Sequence, residues 1–297
     1  MNSIAKQFTL ICITLIFITQ NSCVSFKPGW KDLKSGTDTK NVSELIAKAK
    51  KLENVADSKE DLLKLIDVYK TIEKTDAQNY YALWKIGNYN ILLGAAFSDK
   101  KKDKKFYYKQ AIQYCEKAMC TNEDFLKRVN SGEDIIDASE SLTIAEIDAM
   151  GYWYTARFYY FKDCLSPLGR VMNTRIVIDN NSMIDLIDKL DPSWAGGGNY
   201  FSRALYYIAV PEKFGGSKKR AEEEFGLAIK TGPNYIVNHW GRAKYLYSLL
   251  GDTESMKEDL EWVVAQDPHM AGNTYPWNVY FQSDARKMLA KIENTKP

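Results

Sequence analysis

The chain has 297 residues, with basic and acidic side chains almost in balance at 40 against 38. That balance offers no electrostatic support for nucleic-acid binding. Two histidines and five cysteines leave little material for a metal site or a disulfide framework, while the length suffices for a large core or an extended helical array.

At the N-terminus, Lys6 is followed by an uncharged run of Leu, Ile, Phe, Thr and Cys from Phe8 to Ile18. The run falls well short of the roughly 20 residues a membrane-spanning helix needs and suits the core of a signal peptide. Gln20, Asn21, Ser22 and Cys23 come next. A small residue just before a Cys at such a place resembles the lipobox of exported bacterial lipoproteins, with Gln20 where an aliphatic residue is usual. The expectation is a signal peptide over 1–22, lipidation of Cys23, and a protein exported and membrane-anchored facing the periplasm of a diderm bacterium. Acyl chains would hold it there without a transmembrane helix. The other reading is an ordinary secretory signal, with Cys23 left free or removed. Lys27 to Lys40, interrupted by Pro28, Gly29 and Gly36, reads as a polar tether. Residues 23–40 are thus anchor and flexible tether, and 41–297 a single helical domain.

Helices follow. Leu62, Leu63, Ile66, Tyr69 and Ile72 form an apolar stripe at helical spacing, closed by Thr75-Asp76, and another helix begins near Gln78. That helix carries Trp84, Gly87 and Gly94; the next carries Ala111 and Ala118, after a turn swollen by the lysine-rich Lys100 to Lys105. Cys115 and Cys120 point about 140° apart on this second helix, which favours buried thiols over a bond between them. Thr121 to Ser141 is polar and reads as loop. An aromatic helix then runs from Leu142 to about Leu165, followed by a helix, a kink at Asp179-Asn180-Asn181, and a helix over Met183 to Leu190. Arg175 to Ile178 is the one β-branched run, too short for a strand.

The C-terminal half repeats. Asp191-Pro192, Gly232-Pro233 and Asp267-Pro268 each close a helical stretch, at spacings of 41 and 35 residues. Tetratricopeptide repeats have a period of about 34, two antiparallel helices with a Pro near the end of the second. Ala221 and Ala228 before Pro233, and Trp240, Tyr247 and Gly251 before Pro268, occupy the repeat's small, aromatic and turn positions. Lys213 to Ser217 absorbs the excess of the longer unit. The fold class is all-α: tetratricopeptide-like stacked antiparallel helix pairs, an α-solenoid in which each pair buries its apolar face on the next.

Catalytic and metal patterns are poor. His239 and His269 are far apart with no Cys or His beside them. Gly196-Gly197-Gly198 lacks the preceding strand and following Lys of a phosphate loop, and reads as a helix start that lets repeats pack closely. Glu222-Glu223-Glu224 is a solvated face. No enzyme, metal or cofactor is expected. The aromatic helix is different: Tyr152, Trp153, Tyr154, Phe158, Tyr159, Tyr160 and Phe161 lie within ten residues. Trp153, Arg157 and Tyr160 share one face, while Tyr154, Phe158 and Phe161 share another. Asn199, Tyr200, Arg203, Tyr206 and Tyr207 supply a second such surface. Both readings stand: core packing, or the lining of a groove whose tyrosine hydroxyls find polar partners. In the second, Arg203 would pair a ligand carboxylate.

Taken in order, these segments resemble a family. Gly151-Tyr-Trp-Tyr-Thr-Ala-Arg157 leads to Asp191-Pro192-Ser193-Trp194, then Arg203-Ala204-Leu205-Tyr206-Tyr207. Pro211-Glu-Lys-Phe-Gly-Gly216, Ala221, Gly251-Asp252 and Asp284-Ala285-Arg286-Lys287 complete the order. The order is similar to that of the T component of tetratricopeptide-associated TRAP transporters. The resemblance implies an exported lipoprotein whose helical repeats surround a ligand cleft or pore. It further implies a partner, the periplasmic solute-binding protein of a sodium-coupled transporter for organic acids or other hydrophobic ligands. A homo-oligomer is compatible with such an assembly. The alternative is a general tetratricopeptide scaffold that binds envelope proteins.

Overall fold

In this computed structural model residues 24–33 and 41–294 are described; the signal segment 1–22 and Cys23 lie outside them. Fourteen helices and no strand occur among the described residues. They are α1 Val42–Glu53, α2 Lys59–Thr75, α3 Tyr80–Ala96, α4 Lys101–Met119, α5 Glu123–Asn130, α6 Ile135–Ala138 and α7 Ile147–Cys164. After these come α8 Pro167–Met172, α9 Arg175–Leu190, α10 Trp194–Ala209 and α11 Lys218–Thr231. Helix α12, Ile236–Gly241, continues through a π-helical turn, Arg242–Tyr247, into Ser248–Leu250. The last two are α13 Thr253–Ala265 and α14 Tyr275–Asn294.

The starts of these helices are written locally. Ser58, Asn79, Asn122, Asp134, Ser166, Ser217 and Asp252 each accept a backbone N–H of the first turn from their side chain. Thr143 and Glu146 form a capping box just ahead of α7. The ends are equally local: Gly251 adopts φ 71° after α12, a conformation that suits glycine at a helix terminus.

Sequential helices pack as antiparallel neighbours, α1 on α2, α2 on α3, α3 on α4, α10 on α11 and α13 on α14, with α7 laid across α3, α4 and α9. Helix α3 is buried from Ala82 to Gly94 on all sides, which marks a central helix rather than a surface one. Most of its buried polar atoms are paired, Asn88 Nδ2 being an exception. Lys85 Nζ sits 2.5 Å from Glu53, and Asn88 Oδ1 accepts the indole N–H of Trp277 at 2.6 Å. The Asn88–Trp277 bond brings α14 back onto α3, so the array curls on itself.

Four segments depart from their sequence reading. Thr121 to Ser141 is helical at α5 and α6, because Phe125 and Val129 bury one face. Arg175 to Leu190 is one uninterrupted helix, since the polar run that suggested a kink is held from outside: Asp179 pairs with Arg157 at 2.6 Å and Asn180 donates to the Tyr154 carbonyl at 3.0 Å. Lys101 to Lys105 forms the first turns of α4, not a swollen loop. Residues 24–33, where the tether reading begins, lie against the helical body: Gly29 N–H donates to Glu116 Oε2 at 2.6 Å, and Val24, Phe26, Trp30 and Leu33 pack on the core.

The glycine triplet does permit close packing, through an irregular turn. Ala195, Gly196 and Gly197 have left-handed backbone angles. Asn238 Nδ2 donates to the carbonyls of Gly196 and Ala228, both at 3.0 Å, and a Cβ at Gly197 would lie 2.9 Å from Ala228 Cα. Cys115, Cys120 and Cys164 are buried free thiols.

Candidate functional site

Helix α7 has two faces with different fates. On one, Trp153 is fully buried and donates its indole N–H to Glu116 at 3.0 Å. Arg157 stacks over Trp153 at 4.2 Å and pairs with Asp179. Glu116 is enclosed, and burial pushes its carboxyl up to about 7, opposed by the Gly29 amide, the Trp153 indole and the Arg157 charge. Burial likewise lowers Arg157, offset by Asp179. This face is structural.

The other face borders open space. Tyr154, Thr155, Phe158 and Phe161 of α7, with Ile176, Val177, Asn180 and Ile184 of α9 and Ser202, Leu205, Tyr206 and Ala209 of α10, enclose a cavity of about 70 Å³. A second cavity of about 110 Å³ is bounded by Tyr152, Phe158 and Tyr159 of α7, Phe201 and Leu205 of α10, Trp240 and Tyr245 of α12, Asn273, and Trp277 and Phe281 of α14. Thr155, Phe158 and Leu205 border both. Both are larger than the roughly 15 Å³ that holds one water. The walls are chiefly apolar and aromatic, as small-molecule sites are.

Polar groups are few and placed. The Tyr154 hydroxyl accepts from Ser202 at 3.0 Å. Tyr245, set in the π-helical turn of α12, accepts from Lys162 Nζ at 3.2 Å. Asn273 Nδ2 is buried without a hydrogen-bond partner. Burial raises the phenols of Tyr152, Tyr154 and Tyr159 well above their ordinary value, and Tyr245 up to about 12. All four stay neutral at physiological pH and can serve as hydrogen-bonding groups, not as bases.

Of the residues singled out from sequence, Tyr154 and Tyr206 line the first cavity. Trp153 and Arg157 belong to the buried face just described. Asn199 is buried and donates to Asp188 at 2.8 Å. Arg203 is held by Asp188 and by Asp185 at 3.4 Å, so its guanidinium is occupied within the chain. Tyr207 lies under Arg220 at 5.6 Å, in the small cluster formed with Ala204, Ala221 and Phe225. Tyr200 is half-buried and borders neither cavity. Phe158 and Leu205, which border both, escaped that selection. Their signal was the helical register that puts Phe158 on the Tyr154 and Phe161 face. Tyr245 and Asn273 carried none, because a π turn and a loop position them.

His239 and His269 stand apart from both cavities. His239 stacks on Trp262 at 3.9 Å and contacts Asp259 at 2.6 Å; His269 stacks on Tyr275 at 4.2 Å. Burial works against ionising Asp259, but its hydrogen bonds from Arg242 and His239 outweigh that and hold its carboxyl below the usual range.

No curated protein matches the chain. Among solved structures, the assembly chaperone of RpL4 (residues 1–338) is similar at 14% identity and a TM-score of 0.33, with 86% of this chain and 92% of that one covered. A family model described as TRAP transporter T-component matches residues 92–295. That span holds α4 to α14, every residue lining either cavity, and the whole segment from Asp191 to Pro268. The chain belongs to the TRAP transporter T-component family, which makes it an accessory component of a TRAP transport system.

Proposed function

We propose that this chain is a non-catalytic periplasmic lipoprotein, acylated at Cys23, that holds a small, largely apolar ligand and docks the solute-binding protein of its transporter. The observation that carries the ligand reading is the pair of cavities meeting at Thr155, Phe158 and Leu205. Their aromatic walls and few hydroxyl and amide groups suit an apolar body with one polar end. Arg203 is not the group that receives that end, since Asp185 and Asp188 already occupy it. Asn273 Nδ2 and the neutral tyrosines are better placed.

The test is a thermal-shift series with monocarboxylic acids of increasing chain length, run beside Leu205→Trp, whose indole would fill the shared wall. Binding predicts a chain-length-dependent rise in the unfolding temperature of the wild type that Leu205→Trp abolishes. Retention of a solute-binding protein from periplasmic extract tests the docking half. No shift with any acid, together with no retained partner, would defeat the proposal.

A scaffold without ligand is the second reading, favoured by the engagement of Arg157 and Arg203 in internal pairs. It predicts partner retention that Leu205→Trp leaves unchanged, with no response to acids.

A further inference from the structure

The described chain begins with its first residue already docked. Val24 N–H donates to Asn173 Oδ1 at 2.7 Å, and Phe26 meets Tyr160 edge to face at 5.2 Å. From there the segment runs along α4 and α7 to Gly29 on Glu116. Val24, the residue bonded to Cys23, is thus held at Asn173, where α8 ends and α9 begins.

That end of the molecule has a distinctive surface. Helix α8 buries none of its residues, and Leu168 and Val171, one turn apart, are each 69% exposed. Ile178 on the first turns of α9 and Phe106 on the first turns of α4 are also exposed. Helix α4 runs antiparallel to α7, so its lysine-rich start lies at the same end. Lys104 Nζ is 3.4 Å from Asp163, Lys101, Lys104 and Lys105 all act on the nearby Cys164 thiol, and Lys109 lies 5.9 Å from the Tyr160 ring. Lys100, Lys101, Lys102, Lys109, Arg170 and Arg175 are exposed, with Asp99 and Asp103 the exposed acids beside the lysines and Asp134 paired with Arg175 at 3.5 Å.

We infer that this end is a membrane-contact face, in which Leu168 and Val171 enter the interface of an anionic bilayer while the α4 lysines meet its headgroups. The inference rests on the lipoprotein reading. Two features point to the same occupant: the docking of Val24, the residue bonded to Cys23, at this end, and exposed apolar side chains at the end of the molecule that also carries exposed lysines, the pattern of an interfacial rather than a spanning element. No described helix is long and apolar enough to cross a membrane. The lysine-rich segment, which the repeat pattern left without a purpose, thereby acquires one. The body would sit flush against the membrane with α8 downward, its orientation set by a ten-residue strap and not by a tether.

The experiment uses the full chain expressed with its signal, purified from membranes and returned to vesicles of phosphatidylethanolamine and phosphatidylglycerol. Mass spectrometry of the mature N-terminus reports acylation of Cys23. Single cysteines for an environment-sensitive dye replace Leu168, Val171 or Ile144. Ile144 is exposed at the opposite end of α7, about 27 Å away by helical rise. With brominated lipids, quenching at 168 and 171 is expected to exceed that at 144 at least threefold. Equal quenching on acylated protein would overturn the orientation and leave the lipoprotein reading standing. An unacylated Cys23 would overturn both.

Discussion

The backbone amide of Gly29 lies 2.6 Å from the carboxylate of Glu116, a residue 87 positions away and enclosed in the core. The contact is close because Gly29 has no Cβ; one placed there would overlap the Gln113 carbonyl oxygen. Gly29→Val is therefore expected to lift the strap while leaving the helices folded. Limited proteolysis would show cleavage between 24 and 41 at least tenfold faster than in wild type, with the helical circular dichroism unchanged.

Glu116 makes stability depend on pH. Its carboxyl titrates near 7 in the folded chain against 4.5 unfolded. The folded state thus takes up the proton first. The stabilisation this brings is complete below about 4.5 and is lost as pH rises through about 7. At roughly 1.4 kcal/mol per pH unit of displacement, the wild type should lose on the order of 2 kcal/mol between pH 5 and pH 8 relative to Glu116→Gln. Urea unfolding of both proteins at the two pH values measures it, and parallel behaviour would refute the assignment.

Arg157 and Asp179 form a buried pair whose removal leaves a charge without a partner. Arg157→Ala is expected to cost about 3–5 kcal/mol. Arg157→Lys recovers only part of this, since a single ammonium cannot replace the separate bonds from Nε to Asn180 and from the terminal nitrogen to Asp179. Chemical denaturation of the two variants gives the ordering.

Arg203→Ala should behave differently. Its pair with Asp188 is partly exposed, so the loss is expected near 1 kcal/mol. Any ligand-induced thermal shift should survive it. Disappearance of that shift in Arg203→Ala, with the fold intact, would restore the guanidinium to the binding site.

Gly151 lies beneath the Trp194 ring, and a Cβ would overlap it. Gly151→Ala should displace Trp194 from Asp148, to which its indole N–H donates at 3.0 Å, at a cost of about 1–3 kcal/mol. Because Tyr152 packs on Trp194, the tryptophan emission is expected to shift alongside the unfolding midpoint.

Much of this protein is legible in one dimension. Helix starts at Ser58, Asn79 and Asp252 and the stop at Gly251 depend on contacts within a few residues. The repeat markers at Pro192, Pro233 and Pro268 record the same short-range chemistry. The stripe from Leu62 to Ile72 needs only the helical period to declare its buried face. These determined the all-α class, the paired architecture and the family. Tertiary structure decided the rest. Whether Asp179 and Asn180 break a helix or sit inside one depended on Arg157 and on the Tyr154 carbonyl, both more than twenty residues distant. Whether Trp153 or Phe158 faced open space depended on which side of α7 met α4 and Glu116. Arg203 looked available until the fold brought Asp188 to it, and residues 24–33 looked like linker until Glu116 accepted Gly29. Local backbone preferences are encoded next to where they act, whereas the partner of a buried charge or the neighbour of a cavity is chosen by packing between segments far apart in the chain.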